Sequence, residues 1–197
     1  MADFDFQRLR SVLTPACLTA FRELRENHKD ESFYCMGLYT CGLRSSLMPT
    51  AMTEEGLDQA FRSNRSYSGS AHRSDDHLRA SLRWSPCDSP LHLEGEHHFD
   101  EVNKLMNDVY ATLRTVDTDH GWEEFDDFTK GVDNAICEVL ESVDLAGVFG
   151  TRQEREKIFV SILMGDQDDS ILEFGRRLNP EKTFQQFEKE WGYTPPD

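Results

Sequence analysis

The chain has 197 residues, of which 38% are hydrophobic, and it carries a formal net charge of −16. This acidity disfavours direct binding to nucleic acid, because a protein neutralises phosphates with lysine and arginine. The sequence has no run of about 18 to 20 apolar residues that could span a membrane, and its start, "MADFDFQRLR", lacks a signal-peptide pattern, so we expect a cytoplasmic protein.

The first predicted elements are a helix and a pair of strands. Apolar residues recur at helical spacing over residues 4–28, and Pro15 can serve as the first residue of a second helical segment after Thr14, so we expect a kinked or two-piece helix. The aromatic run Phe33 to Tyr39 predicts a buried strand. A second short strand at Leu47 and Met48 is expected to pair with it.

The next stretch combines a short helix, a loop and a further strand. Thr53 is expected to cap a short helix. Residues 62–76 are rich in Ser, Arg and Asp and almost free of aliphatic side chains, which predicts a mobile internal loop. Residues 78–84 alternate apolar and polar side chains, the period of a half-buried strand.

The second half of the chain predicts two long amphipathic helices, with apolar stripes from Phe99 to Leu113 and from Trp122 to Val143. "KIFVSILM", residues 157–164, predicts another buried strand, and Asn179 is expected to cap a closing helix. We therefore predict an α+β fold, a single domain over residues 1–197. Its small, largely antiparallel sheet of about four strands is packed by several amphipathic helices.

The negative charge is concentrated in one quarter of the chain. Residues 94–147 hold 15 acidic and 3 basic residues, whereas residues 1–93 hold 12 and 11. When the apolar stripes pack inward, these acids form an outward surface, which either keeps the protein soluble or binds a basic protein partner. The candidate partner-binding residues are Asp119, Glu123, Glu124, Asp126, Asp127 and Asp133.

The stretch "HLEGEHHFDE", residues 92–101, holds three histidines and four carboxylates. If residues 96–110 are helical, His97 and Glu101 lie one turn apart and Glu94 could approach His98, and such pairs can ligate zinc or iron. The alternative is that the acids simply favour a helix N-terminus. Because HExxH and related spacings are absent, we favour this alternative and predict no metal and no cofactor.

The five cysteines are scattered without a CxxC pair, which is typical of reduced thiols. Cys35, Cys41 and Cys87 are possible nucleophiles, but no flanking sequence matches a nucleophile motif, and no phosphate-binding glycine motif occurs. We therefore predict that the chain is not an enzyme and has no catalytic residue.

Three groups of segments, taken in order, resemble a bacterial family known as a domain of unknown function, number 4303. They are "FYCMGLYT" with "TEEGL"; "LRWSPCD" with "HLEGEHHFDEVN"; and "GVFG" with "RQEREKIFVSILMGDQD" and "LNP". Members resemble, in size and acidity, the immunity proteins that accompany secreted bacterial toxins.

The resemblance implies a non-enzymatic cytosolic immunity protein. Such a protein would neutralise a cognate toxin by occluding it, and the acidic surface suits a basic toxin domain as partner. Two alternatives remain open: a metal- or small-ligand-binding protein or enzyme that uses the loop of residues 84–101, and a generic regulatory adaptor.

Overall fold

The computed structural model describes residues 4–67, 73–113, 121–165 and 169–191, without the side chains of residues 109–113 and 121–124. Within these residues, eight α-helices and three strands form an α+β fold. The elements are α1 (Phe6–Asn27), β1 (Phe33–Thr40), β2 (Leu47–Thr53), α2 (Glu54–Arg65), α3 (Asp75–Arg83), α4 (Asp100–Leu113), α5 (Gly121–Leu145), α6 (Arg152–Arg155), β3 (Phe159–Leu163), α7 (Ser170–Leu178) and α8 (Glu181–Glu190). Two short 3₁₀ helices, Pro86–Asp88 and Glu96–Phe99, precede α4.

The sheet is mixed, with β1 as its central strand. β1 pairs antiparallel with β2 and parallel with β3, so the order is β2–β1–β3. A side chain at Gly37 of β1 would place its Cβ 2.0 Å from the Ser161 carbonyl oxygen, so only glycine fits beside β3. The prediction of about four largely antiparallel strands is therefore corrected to three strands, of which one pair is parallel.

The stretch of residues 78–84, which was predicted as a strand, is largely helical. Residues 75–83, which include most of the stretch predicted as a strand, form α3. The Ser74 side chain accepts a hydrogen bond from the His77 N–H and caps this helix. Leu78 and Leu82, one helical turn apart, are the buried residues of α3, so the alternating pattern reflected burial at a spacing of four.

Helix α1 runs through Pro15 without a break, so the expected two-piece helix is wrong. A proline inside a helix costs about 3 kcal/mol. Burying one leucine side chain contributes about 1.5–3 kcal/mol, and α1 buries Leu9, Leu13 and Leu24. Packing of this face outweighs the cost of the proline.

The sheet separates two apolar clusters. The larger contains Met36, Leu38, Val160 and Ile162 of the sheet together with the buried faces of α1, α4 and α5. The smaller contains Tyr34, Phe159 and Leu163 with apolar residues of α2, α3, α7 and α8. In the stretches predicted as strands, Cys35, Leu38, Leu82, Phe159, Val160 and Ile162 are buried, while Phe33 and Trp84 are partly buried.

The predicted loop of residues 62–76 is only partly described. Residues 62–65 form the last turn of α2, residues 75–76 begin α3, and residues 68–72 lie outside the described residues. Among the described helices, none combines the length and apolarity needed to cross a membrane.

Candidate functional site

The first half of α5 carries exposed acids that match the sequence prediction. Asp126 and Asp127 are exposed, whereas the next residue, Phe128, is buried. Among the described side chains of α5, Phe128 is the first buried one, and the buried face continues with Val132, Ile136, Val139 and Val143. In the described part of the chain, neither Asp126 nor Asp127 forms an ion pair.

The second half of α5 differs, because its acids are paired with arginines of other elements. The pairs are Asp133 with Arg44 (2.7 Å), Glu138 with Arg10 (3.0 Å), Glu141 with Arg177 (2.7 Å) and Asp144 with Arg155 (2.8 Å). The arginines come from α1, the β1–β2 turn, α6 and α7. Among the described side chains of α5, the acids without an ion pair therefore lie in the first half of the helix.

Asp133 stands apart from the other predicted partner-binding residues. Its two carboxylate oxygens accept hydrogen bonds from the Arg44 guanidinium at 2.7 and 2.8 Å. The side chains of Arg44 and Asp133 are only 10% and 15% exposed. Asp133 therefore stabilises the β1–β2 turn against α5, and we leave it out of the candidate surface.

The side chains of three predicted partner-binding residues lie outside the described part of the structure. Asp119 lies between the described segments, and Glu123 and Glu124 lie in α5 without described side chains. On α4, Asp100 and Glu101 are exposed in the first turn, where negative charge favours the helix.

The loop of residues 84–101 covers the outer edge of β2. The Ser89 hydroxyl donates to the Ala51 carbonyl oxygen at 2.6 Å, and the Leu93 N–H donates to the Pro49 carbonyl oxygen at 3.1 Å. Leu91 is buried in the larger apolar cluster. The loop thus protects a sheet edge that would otherwise expose unpaired backbone groups.

The polar side chains of this loop contact α1 and the sheet. Glu94 bonds to His28 just beyond α1, with its two oxygens 2.9 and 3.0 Å from Nε2. Nε2 of His98 lies 2.7 Å from a carboxylate oxygen of Glu23. Nδ1 of His92 lies 3.3 Å from the Thr50 hydroxyl.

His28 is held between two carboxylates. Its Nδ1 lies 2.9 Å from Glu31, and Nε2 contacts Glu94. Partial burial lowers the pKa of His28, but hydrogen bonds and attraction to Glu31 and Glu94 outweigh burial, so this pKa lies above its ordinary value. Protonated His28 therefore ties the loop to the end of α1.

Two histidines of the loop of residues 84–101 and one glutamate of α1 form a group that could hold a metal ion. Ligand atoms of Glu23, His97 and His98 lie within 4.8 Å of one another. This set replaces the pairs suggested by sequence spacing, because Glu94 bonds to His28 and Glu101 is not part of the group. Sequence analysis missed Glu23, which lies 75 residues from His98 and has no motif around it.

The five thiols differ in their burial and in their hydrogen bonds. Burial raises the pKa of Cys35 well above its usual range. Partial burial raises the pKa of Cys41, but hydrogen bonds with Ser45 outweigh it and lower the pKa overall. Within the described residues, no cysteine hydrogen-bonds to a histidine, the usual base that activates a thiol.

A polar cleft of about 570 Å³ lies where α1 and α5 end. Arg25 spans its wall, donating to the Phe149 carbonyl oxygen at 3.1 Å and to Glu154 at 2.6 Å. A hydrogen bond from the Thr151 N–H, followed by the bond from Arg25, lowers the pKa of Glu154 to about 2. Basic residues near a helix C-terminus complement the helix dipole, which gives Arg25 and Lys29 a structural role, and we assign the cleft no ligand.

The chain matches a protein-family model over most of its length. The family model described as Domain of unknown function (DUF4303) matches residues 13–180. The matched range includes the whole sheet, the loop of residues 84–101 and both long helices. No curated protein and no solved structure matches the chain.

Proposed function

We propose that the chain, which belongs to the DUF4303 family, is a binding protein that recognises a basic protein partner through an acidic surface. We define the acidic surface as Asp126 and Asp127, together with Glu123 and Glu124, which lie about one turn earlier in α5 and are included from the sequence pattern. In this proposal the protein acts in the cytoplasm as an immunity protein. It neutralises a cognate toxin by covering the surface that the toxin uses, and it performs no chemistry of its own.

The observation that carries the proposal is the contrast between the two halves of α5. Four acids of the second half are matched by arginines within the chain, whereas Asp126 and Asp127 are exposed and have no cationic partner among the described residues. A surface required only for solubility does not need uncompensated charge to be concentrated at one place on a helix. Such a concentration suits a complementary basic surface.

Charge of this kind acts mainly on the rate of association. Opposite surface potentials guide two proteins into the correct orientation before they touch, and they raise association rates steeply at low ionic strength. Rapid capture suits an immunity protein, which must bind its toxin before the toxin reaches a target. Toxins that act on nucleic acid are commonly basic, which fits the sign of the surface.

Co-expression tests the proposal. We expect the neighbouring gene to encode a toxin domain, which would be expressed with the wild-type chain, with D126N/D127N, or with the control E26Q/D30N, which removes two other exposed acids. We expect wild type and the control to restore growth and to co-purify with the toxin, and D126N/D127N to do both less well. A partner that is not a toxin would instead support a regulatory adaptor. Equal rescue by all three proteins would contradict a role of the acidic surface in binding the toxin.

A further inference from the structure

The side chains of Glu23, His97 and His98 converge at the surface between α1 and the start of α4. Their ligand atoms lie within 4.8 Å of one another, and the closest pair, His98 Nε2 and a Glu23 carboxylate oxygen, is 2.7 Å apart. The imidazole rings of His97 and His98 contact each other, with centroids 3.9 Å apart. We propose that these three residues form a binding site for a divalent transition-metal ion of the Zn²⁺ class.

The backbone brings the three ligands together. Gly95 adopts φ 87°, and a Cβ there would lie 3.1 Å from the Ala20 Cβ, so the loop packs closely on α1 at this point. Ala20 and Glu23 are three residues apart on α1 and therefore share a face. Close packing at Gly95 thus places His98 beside Glu23.

The short 3₁₀ helix Glu96–Phe99 contains His97 and His98 and holds their backbone in place. Phe99, its last residue, is fully buried in the larger apolar cluster. The adjacent His97 and His98 are consequently held at the surface by an anchored backbone rather than by a free loop. A site whose ligands come from supported backbone loses less conformational freedom when the ion binds.

The ligand set suits a borderline metal ion. Imidazole nitrogens and carboxylate oxygens bind Zn²⁺ at about 2.0–2.2 Å, which sets neighbouring ligand atoms about 3.4 Å apart in a tetrahedron. Glu23 and His98 would separate slightly from their hydrogen-bonded distance, and His97 would move inward. The Glu23 side chain is half exposed and His97 is exposed, so both can make this adjustment.

Three protein ligands leave the fourth position of a tetrahedral site open to solvent. That position could hold water or a side chain of a binding partner. Because one ligand comes from α1 and two from the loop, the bound ion would also cross-link these elements. Binding to the folded chain alone would then stabilise it by an amount that grows with the logarithm of the metal concentration once this exceeds the dissociation constant.

The test is calorimetric titration of chelator-treated, untagged full-length protein with ZnCl2. The expected result is one ion per chain with a micromolar dissociation constant and an increase in Tm on saturation. His97→Ala and Glu23→Gln should weaken binding by well over tenfold, since changes to residues behind a ligand already cost about 10- to 100-fold. The matched controls His77→Ala and Glu26→Gln change a histidine and a glutamate outside the group and should bind as wild type does.

A second measurement distinguishes the loss of a metal ligand from misfolding of a variant. Circular dichroism of each variant without metal should match that of wild type, and the exposed position of Glu23 makes Glu23→Gln the safer variant. Titration with Co²⁺ should produce visible absorption bands of the strength expected for four ligands in wild type but not in His97→Ala. Absence of binding to wild type, or equal affinity for Zn²⁺ in wild type, His97→Ala and Glu23→Gln, would overturn the proposal.

Discussion

The side-chain amide of Asn179 forms two hydrogen bonds with the backbone of Val160. The Val160 N–H donates to Oδ1 at 2.7 Å, and Nδ2 donates to the Val160 carbonyl oxygen at 2.7 Å. Val160 lies in β3, whose other side pairs with β1, so Asn179 takes the place of a further strand. The sequence pattern predicted Asn179 as the cap of α8, but Pro180 occupies that position.

Replacing Asn179 with alanine should destabilise the fold. The change leaves the N–H and carbonyl groups of Val160 without these partners, and an unsatisfied buried polar group costs about 1–3 kcal/mol. We expect Asn179→Ala to lower the free energy of unfolding by about 3 kcal/mol in urea titrations. Asn107→Ala, at an exposed position of α4, should change it by less than about 0.5 kcal/mol; a similar small effect at Asn179 would show that its two bonds contribute little.

Asp133 and Asp126 should behave differently although both are acids of α5. Removing one partner of a largely buried ion pair is strongly destabilising, so Asp133→Asn should cost about 3 kcal/mol because Arg44 loses its ion pair with the carboxylate. Asp126→Asn removes an exposed, unpaired charge and should change stability by less than about 1 kcal/mol. Chemical denaturation of both variants checks the comparison, and equal costs would contradict the assignment of Asp133 to the fold.

The contribution of His28 to stability should decline with rising pH. Its pKa in the folded protein lies above the ordinary value of 6.5, so its contribution is fully present below about pH 6.5 and is lost as the pH rises through the folded pKa. We expect His28→Gln to lower the free energy of unfolding more at pH 6 than at pH 8.5. A variant effect that is the same at both pH values would rule out a charged tie from His28 to Glu31 and Glu94.

Trp84 should be important for the smaller apolar cluster. Its ring makes edge-to-face contacts with Tyr34, Phe159 and Phe187, with centroids 4.7 to 5.8 Å apart. Trp84→Ala should therefore cost about 3–5 kcal/mol. The control Tyr67→Ala, at a residue that is 69% exposed, should have little effect. A loss below about 1 kcal/mol for Trp84→Ala would point to a binding role instead.

The outcome for individual elements shows what local sequence patterns can predict. The long stripes of α4 and α5 and the strands β1 and β3 have one dominant period or a short buried run, and each was predicted with the correct type. In α3 the short spacing Leu78, Ala80, Leu82 suits both a strand and a helix, and the Ser74 cap decides in favour of the helix. The parallel pairing of β1 with β3 depends on a long crossover, which no local pattern encodes.

The candidate sites were predictable only in part. The acidity of α5 is visible in the sequence, but its division into a paired half and an unpaired half depends on arginines that are distant in the chain, such as Arg10 and Arg177. Likewise, "HLEGEHH" drew attention to His97 and His98, while Glu23 joins them only because α1 passes beside the loop.

The central claim is that the acidic surface guides association with a basic partner, and association kinetics test it most directly. The rate constant for binding the cognate toxin domain would be measured at low and high salt for three proteins. These are wild type, the variant E123Q/E124Q/D126N/D127N, and a control with the same change in charge, E26Q/D30N/E173Q/E188Q. Screening shortens the range of these interactions from about 30 Å at 0.01 M salt to about 3 Å at 1 M salt. We expect the acidic-surface variant to associate more slowly and with a flatter salt dependence than both wild type and control, while its stability is preserved. Equal rates and equal salt dependence for the acidic-surface variant and wild type would contradict the central claim.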